Sequence, residues 1–134
     1  MNYLARREHS CAELITKLKA RFPDDMVIVR AEVQKLVDEN LQSNRRFAED
    51  YLRHRSQRGY GLVHIRSALI ERGVSTADIQ HALAEESINW SSLAKSVYIK
   101  KFGERPAADI KEKAKRVRYM QYRGFASEDF QNLL

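Results

Sequence analysis

Disulfide bonding is closed to this chain. Its single cysteine, Cys11, has no second thiol to meet, so packing alone must hold the fold. Proline (two) and glycine (five) are scarce among 134 residues, which argues against disorder and against an all-β fold. Strand-like alternation is missing over any useful length. The longest apolar run, Met26 to Val29, is four residues, where a membrane helix needs roughly 20. The opening residues do not read as a secretion signal, and a cytoplasmic protein is expected.

Catalytic motifs are missing too. His9, His54, His64, His81 and Cys11 are scattered and never stand at metal-ligand spacing. Cys11 is expected to pack beside Leu14 rather than to react. No serine elbow or phosphate-binding loop occurs. Asp24-Asp25 and Glu85-Glu86 read as solvated charge at turns and helix ends. The expectation is therefore no catalytic residue, no metal and no cofactor.

What the chain does have is 43% apolar residues and an internal repeat. Arg72-Gly73-Val74-Ser75-Thr76-Ala77-Asp78-Ile79-Gln80 returns 51 positions later as Arg123-Gly124-Phe125-Ala126-Ser127-Glu128-Asp129-Phe130-Gln131. Each glycine suits the left-handed residue that stops a helix. Ser75 or Ser127 is expected to cap the next one, with acids in its first turn. The same offset pairs Leu14 with Ile65 and Leu18 with Leu69. It fails after Phe22, where Pro23-Asp24-Asp25 replaces the glycine turn. This predicts an all-α fold of three tandem three-helix repeats, 1–43, 44–88 and 89–134, packed into an elongated, curved molecule.

About nine helices are expected. Tyr3 to Arg7 opens the first repeat, and Ser10 with Glu13 forms a capping box for the next helix. A third helix is expected over Val29–Glu39, then a link at Asn40–Asn44 in which Ser43 or Asn44 caps. Arg45–Arg58 ends at Gly59-Tyr60-Gly61, a tight corner that presents a ring. Ser91 is expected to cap a helix that Gly103 ends, and another runs from about Ala107 to Tyr122.

Net charge is +6, and its placement is uneven. Basic and acidic side chains number seven and seven in the first repeat, seven and six in the second, ten and five in the third. Five bases and one acid fall within Lys111–Arg118. Lys111, Lys115 and Arg118 share one helical face, continued by Tyr122, with Lys113 and Arg116 on the other flank and Ile110, Ala114 and Val117 as the buried stripe. A solvated face would show the same spacing. The concentration of charge at one end tips the reading towards contact with an acidic or polyanionic partner. Arg58 and Tyr60 at the glycine corner are the second candidate, with a purely structural corner as the alternative. Major-groove reading by the third helices is disfavoured, because they open with Asp78 and with Glu128-Asp129, which would face phosphate.

The segments Tyr3-Leu4-Ala5-Arg6-Arg7-Glu8-His9-Ser10, Arg46-Phe47-Ala48-Glu49 with Arg58-Gly59-Tyr60-Gly61, and Tyr122-Arg123-Gly124-Phe125 together resemble the bacterial RecX family, regulators of the RecA recombinase. The resemblance spans nearly the whole chain in order. Arg21-Phe22-Pro23 departs from the family's basic-glycine turn, and Ser43-Asn44 from its acidic link. Almost nothing precedes Tyr3, where many relatives carry an extension. The resemblance implies tandem three-helix repeats, no enzymatic activity, and binding to the RecA filament that inhibits ATP hydrolysis and strand exchange. Direct DNA contact is a further implied partner, and the free protein is expected to be a monomer. The residues expected to meet the partner are Lys111, Lys115, Arg118, Arg123, Arg58 and Tyr60.

Overall fold

The structure, a computed structural model, describes residues 7–39 and 42–134. The helix expected from Tyr3 and the Asn40-Leu41 part of the first link fall outside these. Among the described residues there are eight helices and no strand: α1 (Cys11–Arg21), α2 (Met26–Asp38), α3 (Asn44–Gln57), α4 (Leu62–Glu71), α5 (Thr76–Glu86), α6 (Trp90–Phe102), α7 (Ile110–Tyr122) and α8 (Ser127–Phe130), with a final 3-10 turn over Gln131–Leu133. The fold is all-α.

Local chemistry explains most boundaries. Ser10 Oγ accepts from the Glu13 amide at 3.1 Å and the Glu13 carboxylate accepts from the Ser10 amide at 3.2 Å, so α1 opens on the capping box. Helix α2 starts at Met26, three residues before the expected Val29, because the bend at Pro23 is completed by Asp25. Ser43 Oγ caps α3 through the Arg46 amide. Asn44 Oδ1 is used elsewhere, accepting from the first amide of α1 at Cys11. Two expected caps are corrected. Asn89, not Ser91, caps α6 by accepting from the Ser92 amide, which leaves the Ser91 hydroxyl to donate to Asp129. Ala126, not Ser127, stands before α8; the cap position of Ser75, which does accept from Asp78, carries alanine in the last repeat.

Two compact units can be described separately. One holds the described residues up to Tyr51 together with Leu69–Glu86. Leu14 and Leu18 from α1 meet Val29 and Val33 from α2, and all four are buried. Ion pairs from distant positions close this unit: Arg45 with Asp78 at 2.9 Å, Arg46 with Glu8 at 3.1 Å and Arg72 with Glu13 at 3.8 Å. Gly73 stands where an added Cβ would lie 2.9 Å from the Ala12 Cβ.

The other unit holds Leu52–Ala68 and Ser87–Leu134. Its core is Ala94 and Tyr98 of α6, Met120 of α7, Phe125, and Phe130 of α8. Burying the larger of these, Met120, Phe125 and Phe130, contributes about 1.5–3 kcal/mol each. Here the two glycine signatures seen in the sequence meet. The Gly61 amide donates to the Arg123 carbonyl at 2.8 Å and the Val63 amide to the Gly124 carbonyl at 3.0 Å. A Cβ on Gly61 would fall 2.4 Å from the Gly124 oxygen, and one on Gly124 would fall 2.3 Å from the His64 Cβ. No side chain fits between these backbones.

Candidate functional site

The basic face rests on an arginine that the periodicity misplaces. Arg116 does not flank solvent; it is 7% exposed. Its Nη1 donates to the Tyr98 hydroxyl at 2.9 Å and to the Arg105 carbonyl at 2.8 Å, and its Nε donates to Glu112 at 3.2 Å. The guanidinium also lies 5.2 Å from the Phe102 ring centre and 5.6 Å from that of Tyr98. The Tyr98 hydrogen bond is the first of several contacts that hold it protonated above its ordinary range. Ile110, assigned to the buried stripe, is instead 86% exposed. It is the first residue of α7, where the chain arrives from the Asp109 cap, and Met120 fills the core position.

Arg116 thus fixes α7 to α6 and to the loop before it. With that rotation set, Lys111, Lys115 and Arg118 all point to solvent. They border a shallow hollow of about 570 Å³, with Arg105 at its edge. The acids beside it are already engaged. Asp109 accepts from the Glu112 amide at 2.8 Å, and Glu112 pairs with Arg116. Lys111, Lys115 and Arg118 form no ion pair among the described residues. Tyr122, 81% exposed, follows them along the helix. Such a face attracts an anionic surface, and its strength falls with salt.

The glycine corner is a separate arrangement. Arg58, Tyr60 and Arg123 are brought together, while Lys111, Lys115 and Arg118 form their own group. Tyr60 is not a freely presented ring. It stacks on His64 with centroids 4.5 Å apart, and the Arg123 guanidinium lies 4.5 Å from its centre. Arg123 Nη2 donates to the Arg58 carbonyl at 2.8 Å, just past the end of α3. The Arg58 side chain itself is exposed.

Reasoning from the sequence missed Arg116 as an anchor, and it missed Lys100 and Lys101, which crowd the last turn of α6 beside Arg58 and Arg123. The repeat carried the signal for the first. The residue 51 positions before Arg116 is Ile65, which is fully buried. No group of His, Cys, Asp and Glu among the described residues is gathered as for a metal ion. Among the same residues, no helix is long and apolar enough to cross a membrane.

Comparison with known proteins gives the family. The family model for the second three-helix domain of RecX matches residues 43–83, and that for the third matches residues 91–134. The chain is 42% identical to the regulatory protein RecX of Pseudomonas putida KT2440, covering all of this chain and 85% of that one. It is 38% identical to that of Pseudomonas fluorescens Pf-5, covering 86% of it. A crystal structure of a regulatory protein RecX superposes with a TM-score of 0.79 over 98% of this chain and 67% of the other, at 23% identity, so the three-helix fold is shared. A chain with this fold, these repeats and these relatives belongs to the RecX family of regulatory proteins, which are not enzymes.

Proposed function

We propose that the chain is a negative modulator of the RecA recombinase. It binds the RecA–DNA filament and inhibits ATP hydrolysis, strand exchange and filament growth. The observation that supports this reading is the Lys111, Lys115 and Arg118 face, free of ion pairs among the described residues and held by buried Arg116, in a chain of the RecX family. The repeats 1–43, 44–88 and 89–134 serve as modules that bridge neighbouring RecA subunits. Arg58, Tyr60 and Arg123 supply a second contact region, and the protein acts as a monomer in the cytoplasm.

A second reading has support in the same cations. Lysines and arginines that pair with nothing among the described residues suit phosphates as well as carboxylates, which supports action by masking DNA. Titration into RecA ATPase on single-stranded DNA, at two DNA concentrations, separates the two. Filament binding predicts inhibition at a small ratio to RecA that extra DNA does not relieve. Masking predicts inhibition that retreats in proportion to added DNA and weakens steeply with salt. Absence of any effect at any ratio would contradict both.

A further inference from the structure

We propose that the hollow between the end of α3, α6 and α7 is a docking site for a short acidic peptide that carries one apolar anchor. It is distinct from the Lys111 face, and it shares Arg58 and Arg123 with the second contact region proposed above, so it rests on that reading and adds to it the chemistry of the segment that enters. The hollow holds about 390 Å³, within the roughly 300–1,000 Å³ of ligand sites.

Its charge is one-sided. Arg58, Lys100, Lys101 and Arg123 line it, and among the described residues no carboxylate does. The Arg58 and Lys100 side chains have no hydrogen bond or ion pair among the described residues. Arg123 reaches the Arg58 carbonyl through Nη2, yet its buried Nε has no hydrogen-bond partner. That nitrogen is closed to solvent, so Arg123 offers the hollow its positive charge and not a free donor at Nε.

The floor is aliphatic. Leu93 and Val97 lie one turn apart on α6, partly buried against the core. Gly59 keeps that floor open: a Cβ there would stand 3.1 Å from Val97 Cγ2 and 3.0 Å from Arg123 Nη2. Cations around an aliphatic base fit a leucine-like side chain flanked by Asp or Glu. Single-stranded nucleic acid fits less well, because bases bind by stacking on open rings. Among the described residues the one ring lining the hollow is Tyr119, which carries Lys101 Nζ at 5.2 Å from its centre and meets Phe102 edge-on at 5.4 Å.

The test uses the full chain, a fluorescein-labelled peptide of Glu and Asp with one central leucine, and an oligothymidylate of equal length, read by anisotropy with neither RecA nor DNA duplex present. Its failure is therefore separable from failure of the recombinase reading. Saturable peptide binding is expected, weakened about tenfold or more by Lys100→Glu/Lys101→Glu and by replacing the central leucine with alanine. Ser96→Trp, which blocks the hollow while keeping all four cations, should do the same. Lys95→Glu, on α6 but outside the hollow, should change affinity by less than about twofold. Peptide binding that ignores Ser96→Trp, or absence of saturable binding, would overturn the proposal. Preferential binding of the oligothymidylate, lost in the same variants, would overturn it in favour of a nucleic-acid site.

Discussion

The Arg123 guanidinium lies 4.5 Å from the centre of the Tyr60 ring while its Nη2 donates to the Arg58 carbonyl. One side chain of the last repeat thereby covers the aromatic corner of the middle one and satisfies a carbonyl at the end of its first helix. Both residues contribute to the fold before any partner arrives. A double-mutant cycle with Arg123→Met and Tyr60→Leu should show a coupling of about 0.5–2 kcal/mol in urea unfolding. Additive losses would mean that the stacking contributes nothing.

The backbone joint beneath that contact makes a sharper prediction. Gly61→Ala and Gly124→Ala should each cost about 3 kcal/mol or more, because the new Cβ meets backbone or an adjacent Cβ at 2.4 and 2.3 Å and neither neighbour is a flexible tip. Gly103 has φ of 78° but nothing within 4 Å of its virtual Cβ. Its ψ of −169° puts it in the extended positive-φ region that glycine alone adopts readily, so Gly103→Ala should cost about 1–3 kcal/mol from backbone strain alone. Equal losses at all three positions, measured by urea unfolding, would contradict the close approach of the two turns.

Stability should also depend on pH through His9. The ring is 1% exposed. Its Nδ1 faces the Arg7 carbonyl at 3.0 Å and so carries the proton, which leaves Nε2 to accept from Lys17 Nζ at 2.7 Å. Burial, more than the neighbouring cations, pushes its pKa below the ordinary 6.5. The unfolded chain then binds the proton first as pH falls. The contribution is fully present above about pH 6.5 and is lost on acidification towards the folded pKa, by up to about 1.4 kcal/mol per pH unit. His9→Gln should flatten the fall in urea midpoint between neutral and mildly acidic pH. An unchanged slope in that variant would assign the pH response elsewhere.

Reversing the basic face should act on function and spare the fold. Lys111→Glu/Lys115→Glu/Arg118→Glu removes three solvent-facing cations that pair with nothing among the described residues. At about 0.5–1 kcal/mol per contact, inhibition of RecA ATPase should require roughly ten- to hundred-fold more protein. Its melting temperature should stay close to that of the parent. Undiminished inhibition would remove this face from the proposed contact.

Much of this was legible in the sequence. The glycine-stopped helices, the capping box at Ser10 and the heptad-like pairs of Leu14 and Leu18 are local features, and local chemistry fixes them. Lys111, Lys115 and Arg118 share a face because helical spacing alone puts them there. The rotation of α7 about its axis was not legible from hydropathy. An isoleucine at its first turn and an arginine in its middle invite the wrong stripe, and two of the partners that make Arg116 worth burying, the Tyr98 hydroxyl and the Arg105 carbonyl, are distant in sequence. Aligning Arg116 with Ile65 and Met120 with Leu69 across the repeat gives the correct rotation, since both partners are core residues. Contact between Gly61 and Gly124 is a tertiary fact that neither signature reveals by itself.

The most direct measurement places a photo-cross-linking benzoylphenylalanine at Tyr122, an exposed aromatic at the end of the basic face, and irradiates the protein with RecA filaments assembled on single-stranded DNA. The account predicts an adduct with RecA that forms on filaments and is lost in the Lys111, Lys115 and Arg118 charge reversal. An adduct with DNA alone, or one with RecA that survives the reversal, would contradict it.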